Sequence, residues 1–355
     1  MSAELQIRLL DCIRGRRTEV FDSLALEMFA FQFERNAVYR AYCEQHRRTP
    51  VAVRNWREIP AVPTAAFKDF ALTCFPVEDA VAEFHTSGTT RAKAGKHYFR
   101  TLELYDATIR QSFAAHLLPD AARLPMLVLT ASPAEAPHSS LAHMMGAVAQ
   151  QFGRPESDFY ISHDDLLAEK LVHDLLEAQW AHQPVFVLGT AFAFGKFFEH
   201  CHRQDLKFEM SEGSRAMETG GFKGRSREMP KKDLYVQFES FLGISPSRVV
   251  NEYGMTELST QFYDETFRVG HQSDLKTVPP WARVLVIDPN SGREAAVNER
   301  GLIRIYDPAN MWSIMCVQTE DLGVLRDDGE FEVLGRAAGA EVRGCSLTAE
   351  TLSSR

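Results

Sequence analysis

Three short strand candidates, residues 125–130, 185–189 and 248–252, do most to constrain the fold of this 355-residue chain. Each has the length of a strand and runs into a segment rich in Gly, Ser, Thr or His. Between the first two, residues 164–180 carry Leu167, Leu171, Leu175 and Leu176 at helical spacing. Strands alternating with helices predict an α/β fold with a mainly parallel sheet flanked by helices. In such sheets, ligands collect where strands end and loops begin.

The flanks of the chain read differently. Residues 18–46 predict a helix, with Phe21, Leu24, Met28, Phe31, Val38 and Tyr42 on one face. Residues 56–63, which hold Pro60 and Pro63, read as an extended connector. From Trp281 onward, strands at 282–287 and 301–306 are parted by an Asn290-Ser291-Gly292 turn. Those at 323–325 and 330–334 flank Asp327-Asp328-Gly329, a hairpin signal. The expected organisation is a helical N-terminal region (1–80), an α/β core (81–275), a small antiparallel β subdomain (276–340) and a tail (341–355) that carries Cys345.

A net charge of −9 argues against broad binding to nucleic acid or anionic membranes. No stretch is long and apolar enough to span a bilayer, and the N-terminus lacks a signal-peptide core. Six cysteines lie far apart without a Cys-x-x-Cys pair, which speaks against a disulfide framework or zinc site and suits the cytoplasm.

The densest polar segment is His85-Thr86-Ser87-Gly88-Thr89-Thr90, followed by Arg91-Ala92-Lys93-Ala94-Gly95-Lys96. Glycine allows close backbone approach, and successive N–H groups with hydroxyls and lysine can cradle phosphate oxygens. The spacing from Gly88 to Gly95-Lys96-His97 is not that of a Walker loop, which disfavours a P-loop kinase or GTPase.

Three further segments follow in order: Glu218-Thr219-Gly220-Gly221, Asn251-Glu252-Tyr253-Gly254-Met255-Thr256-Glu257, and Gln318-Thr319-Glu320-Asp321 with Gly335-Arg336. Together with the first loop they resemble the adenylate-forming superfamily of acyl-CoA synthetases, peptide-synthetase adenylation domains and luciferases, over about residues 60–345. Within it, Pro137-His138-Ser139-Ser140-Leu141, Thr219-Gly220-Gly221-Phe222-Lys223-Gly224 and Glu341-Val342-Arg343-Gly344-Cys345-Ser346-Leu347 look most like acyl-protein synthetases of the LuxE type.

The resemblance implies the large domain of an adenylate-forming enzyme, with ATP and Mg²⁺. Thr86, Ser87, Gly88, Thr89 and Thr90 would hold the ATP phosphates. Gly220, Gly221 and Gly254 would border the nucleotide, with Tyr253 stacked on adenine. Thr256 would bond the α-phosphate and Glu257 would carry the metal. Asp321 would accept from the ribose hydroxyls, Arg336 would reach the ribose or phosphate, and Cys345 would take the acyl group as a thioester.

Departures from the superfamily pattern are visible as well. The usual loop lysine position is Ala94, leaving Lys93 or Lys96 as substitutes. Ala338 stands at the usual hinge aspartate. The mobile C-terminal domain of typical members, with its catalytic lysine, is expected to be largely absent.

The function this implies is activation of a carboxylic acid, by family a fatty acid, as acyl-AMP and its transfer through Cys345 to a partner such as an acyl reductase or carrier protein. Transfer to CoA or a carrier thiol, and a nucleotide-binding scaffold without catalysis, stand as alternatives. Two readings remain for His138, beside the acyl carboxylate or structural. Two also remain for Phe192, Phe194, Phe197 and Phe198, an acyl tunnel or core packing. His200, Cys201 and His202 read as surface.

Overall fold

The structure is a computed structural model that describes residues 2–86, 94–120, 122–220 and 229–337. These divide into two compact units, the first drawn from the described residues within 1–111, 255–260 and 275–355 and the second from those within 112–254 and 261–274.

The second unit is built on a seven-stranded sheet ordered Phe262–Tyr263, Val249–Tyr253, Arg215–Thr219, Phe186–Thr190, Met126–Ala131, Asp158–Ser162, Asp165–Leu166. The five inner strands are parallel and the two short outer ones antiparallel. The three strand candidates are thus parallel strands, each displaced by one residue from its sequence limits. Helices Ser140–Phe152, Ala168–Trp180, Ala191–Arg203 and Lys231–Leu242 connect them. Ser139 and Thr190 cap two of these helices, accepting from the Ala142 and Ala193 amides, both at 3.1 Å.

The helix expected over 164–180 begins only at Ala168. Ile161 and Ser162 pair with Leu166 and Asp165, closing a two-residue hairpin in which His163 (φ 49°) and Asp164 (φ 65°) are both left-handed. That is the geometry a tight hairpin turn demands, and it outcompetes one more helical turn.

Three of the four phenylalanines of the aromatic run are core, and Phe192 is partly buried. Phe194, Phe197 and Phe198 are fully buried, and Phe194 and Phe198 meet Phe238 with ring centroids 4.6 and 5.2 Å apart. Cys201, expected at the surface, is buried in the same cluster, one helical turn after Phe197 and Phe198. Gly189 marks a tight point: a Cβ there would lie 2.7 Å from the Leu129 Cβ on the neighbouring strand.

The first unit carries a sheet ordered Leu275–Lys276, Phe331–Arg336, Cys316–Leu325, Arg300–Tyr306, Arg283–Ile287, antiparallel throughout. Val62–Pro63 joins Cys316–Leu325 in parallel, so part of the predicted connector is a strand, after a 3-10 turn at Trp56–Glu58. A separate hairpin pairs Ala82–His85 with Lys96–Phe99.

The single helix expected over 18–46 is two, Phe21–Arg35 and Ala37–Gln45. Asn36 between them adopts extended backbone and accepts from the Tyr39 amide at 3.0 Å, capping the second helix. The apolar stripe hides this break because Tyr39 and Tyr42 resume it. Helix Ser2–Ile13, not anticipated, buries Leu5, Leu9, Leu10 and Ile13. The N-terminal helices and the C-terminal sheet belong to one unit. No described helix is long and apolar enough to cross a membrane.

Candidate active site

In the second unit, two adjacent parallel strands end in the segments singled out by sequence. Glu218 and Thr219 lie opposite Asn251 and Glu252 in register. The Asn251 amide Nδ2 donates to Glu218 Oε1 at 2.7 Å and the Tyr235 hydroxyl to the same oxygen at 3.2 Å. The Thr219 hydroxyl donates to the Glu252 carboxylate. Both carboxylates are buried, at 2 % and 5 % exposure, so these bonds offset a large desolvation cost. Burial and the neighbouring Glu218 hold the Tyr235 phenol well above its usual range.

This network rigidifies the strand ends from which Gly220 and Tyr253 project. Gly220 sits at φ +69°, and no atom of the described residues lies within 4 Å of a built Cβ, so glycine here serves backbone conformation. Gly254 is close-packed instead, since a Cβ would fall 2.2 Å from Glu252 Oε1. The Tyr253 ring is partly buried and lies 6.3 Å from that of Phe262. His138 is exposed on the loop after strand Met126–Ala131, one residue before the Ser139 cap.

In the first unit, the hairpin that carries the polar loop is tied to residues 255–260. The Thr256 hydroxyl donates to the His85 carbonyl at 3.3 Å, and His97 Nδ1 donates to the Thr256 carbonyl at 2.8 Å. At the base of the loop Thr86 Oγ1 accepts from the Gly95 amide at 2.8 Å. Glu83 binds both Lys96 (2.7 Å) and His85 Nε2 (2.5 Å). Lys96, one of two substitutes for the missing loop lysine, therefore has its charge engaged by Glu83.

The other side of residues 255–260 is held by a buried cluster that sequence reasoning missed. Asp307 accepts from the Ser259 and Thr260 amides (2.9 and 2.8 Å) and from the Thr260 hydroxyl (2.8 Å). Asn310 donates to the Glu257 carbonyl at 2.7 Å and accepts from the Ser259 hydroxyl at 2.6 Å. Gln32 in turn donates to the Asn310 carbonyl at 2.9 Å. The sole clue in the sequence was Asp307-Pro308-Ala309-Asn310, a polar interruption directly after an apolar strand.

Asp321 and Arg336 face each other in register across adjacent strands. The Arg336 guanidinium is two-thirds exposed and reaches the Glu320 carboxylate at 2.8 Å. Ser87, Gly88, Thr89, Thr90, Lys93, Gly221 and Cys345 lie outside the described residues.

Burial lowers the His97 imidazole to about 4. A folded value below the unfolded one near 6.5 means that the unfolded chain binds the extra proton first. The contribution is intact above about pH 6.5 and is lost as pH falls towards 4. Its size is at most about 3 kcal/mol. Burial moves His116 in the same direction. The melting temperature is expected to fall between pH 6.5 and 4, and less steeply in a His97→Asn protein; equal slopes would contradict this.

The profile of the acyl-protein synthetase family LuxE matches residues 5–353. The chain belongs to that family. Its relatives include the long-chain-fatty-acid–luciferin-component ligase of Aliivibrio fischeri, 22% identical over 344 residues, covering 93% of this chain and 88% of the relative. The ligase of the same name from Vibrio harveyi is 20% identical over 330 residues, covering 90% and 84%.

Among solved structures, a 2-hydroxyisobutyryl-CoA ligase in complex with 2-HIB-AMP and CoA superposes with TM-score 0.66 at 14% identity, covering 89% of this chain and 69% of that one. ATP-bound MatB from Rhodopseudomonas palustris gives 0.54 at 15% identity, covering 81% and 52%. The chain thus spans about half the length of MatB, and the fold is that of these ligases. The α/β architecture and the acyl-protein synthetase family expected from the sequence are both borne out.

Proposed function

We propose that this acyl-protein synthetase uses ATP to convert a fatty acid to acyl-AMP and then carries the acyl group on Cys345 for delivery to an acceptor protein. The observation that carries this reading is the family match over residues 5–353. The names of the two relatives point to a long-chain fatty acid as the substrate. An acyl reductase is the acceptor whose chemistry consumes a thioester, and a carrier protein is the other candidate.

In the first step a carboxylate oxygen attacks the α-phosphorus. A P–O bond forms, the bond to the β-phosphate oxygen breaks, and pyrophosphate leaves. Two anions must approach, so the site has to supply donors and cations where charge builds up. Residues 86–90 with Lys93 take the phosphates, and the Thr256 hydroxyl takes the α-phosphate. Tyr253 and the Gly220–Gly221 backbone take adenine; Asp321 accepts both ribose hydroxyls and Arg336 adds charge. His138 is assigned to the acyl carboxylate.

A hard cation takes oxygen ligands, and Glu257 is the residue whose carboxylate would hold Mg²⁺. Bound there, the ion would supply countercharge to the triphosphate. In the second step the Cys345 thiolate attacks the acyl carbonyl carbon; a C–S bond forms, the C–O bond breaks, and AMP leaves with the electron pair.

The test is fatty-acid-dependent exchange of labelled pyrophosphate into ATP by the purified protein. Exchange that requires the acid supports the reading. ATP binding without exchange would identify a scaffold, and acyl-CoA formation in preference to protein labelling would identify a CoA ligase.

A further inference from the structure

Thr256 and Glu257 occupy the two central positions of a tight turn closed by the Leu258 amide donating to the Met255 carbonyl at 3.1 Å. The Thr256 carbonyl and the Glu257 N–H belong to one planar peptide unit between the two side chains. Such turns exist in two forms that differ by a flip of this central plane, and the flipped form needs a positive φ at the second central residue. Glu257 is not among the described non-glycine residues with positive φ, so the unflipped form is the one present.

Two side chains hold that choice. His97 Nδ1 bonds the Thr256 carbonyl at 2.8 Å, fixing the peptide before the Glu257 Cα. Asn310 Nδ2 bonds the Glu257 carbonyl at 2.7 Å, fixing the peptide after it. The backbone on both sides of Glu257 is therefore pinned by groups distant in sequence. His97 is itself immobilised: it is 2 % exposed, with its ring centroid 4.2 Å from Phe99 and 5.7 Å from Phe67. An apolar ring would fill this niche equally well, so the directed N–H is what histidine adds.

We propose that His97 and Asn310 are positioning residues that aim the Thr256 hydroxyl and the Glu257 carboxylate by clamping the peptide planes around Glu257. The proposal rests on the phosphate and metal roles given to those two residues above. Because His97 also stands on the strand that leads out of the polar loop, the clamp sets Thr256 and Glu257 at a constant distance from the loop's base. A misplacement of about 1 Å at such a point costs on the order of 100-fold in rate.

The experiment compares His97→Asn, His97→Gln and His97→Leu. Asparagine places its amide nitrogen the same number of bonds from the backbone as Nδ1, whereas glutamine places it one bond further. Pyrophosphate exchange, the Mg²⁺ concentration for half-maximal rate, the melting temperature and hydrogen–deuterium exchange of residues 253–260 without nucleotide are measured for each. The Asn protein is expected to keep most of the turnover. The Gln and Leu proteins are expected to lose about 10- to 100-fold in kcat, need more Mg²⁺ and exchange faster at 253–260.

Full turnover in the Gln protein, or equal losses in Asn and Gln that follow their melting temperatures, would overturn the clamp. Glu257→Gln separates the two levels. If that protein is fully active, the roles assigned to Thr256 and Glu257 fall; if it is inactive while His97→Gln is not, the clamp alone falls.

Discussion

A Cys345→Ser protein is expected to form acyl-AMP from ATP and a fatty acid at the normal rate while retaining no hydroxylamine-labile acyl group. The adenylation step needs no thiol, so acid-dependent pyrophosphate exchange should be unchanged. The second step needs a thiolate, and an unactivated serine hydroxyl attacks roughly 100-fold or more slowly.

The other cysteines are poor stand-ins. Burial pushes the thiols of Cys43, Cys74, Cys201 and Cys316 up to about 12, and raises that of Cys12 as well. At neutral pH these groups are almost wholly protonated, and the protonated thiol is not the nucleophile. The burial of Cys43, Cys74, Cys201 and Cys316 also keeps an adenylate from approaching. The measurement is labelling with radioactive fatty acid and ATP, followed by neutral hydroxylamine. A Cys345→Ser protein labelled as fully as the parent would show that Cys345 is a bystander and would favour transfer to an external thiol.

The parts of the fold that follow from local periodicity are legible in the sequence. The runs at 125–130 and 185–189 are almost continuously apolar because both faces of their parallel strands are covered, while 248–252 keeps only Val249 and Val250 apolar beside Arg248, Asn251 and Glu252. Where two local preferences compete, the sequence misleads. Asn36 interrupts an apolar stripe that continues in phase on either side, and residues 164–167 satisfy a helical pattern yet close a hairpin. The candidate site segments stand out in the sequence because glycine, threonine and carboxylate cluster there. Asp307, Asn310 and His97 do not, since each acts at a distance: His97 lies 159 positions from the carbonyl it bonds, and Asn310 lies 53 from its own. A single buried polar residue inside an apolar run carries no local pattern, and its meaning emerges only when its partner is known.

Glu257→Gln is expected to lower acid-dependent pyrophosphate exchange by about 100- to 1,000-fold, equivalent to about 3–4 kcal/mol of lost transition-state stabilisation. The substitution keeps the shape and removes one negative charge, so a group that holds a divalent cation beside the triphosphate should suffer most. The fold should be spared, because Asn310 bonds the main-chain carbonyl of residue 257 and His97 the carbonyl before it, and neither depends on the side chain.

Asp307 provides the contrast. Its carboxylate is fully buried and accepts from the amides of Ser259, Thr260 and Ala309 and from the Thr260 hydroxyl. Burial raises its pKa against the pull of those donors. Replacing Asp307 with Ala would strand several donors in an apolar interior, at a cost of about 3–5 kcal/mol in stability by the scale of buried groups left without partners. Two carboxylates of one segment thus separate cleanly, with Glu257 read in turnover at an unchanged melting temperature and Asp307 read in the melting temperature itself. Loss of stability in Glu257→Gln, with turnover reduced only in proportion, would assign Glu257 to the scaffold and remove it from the chemistry.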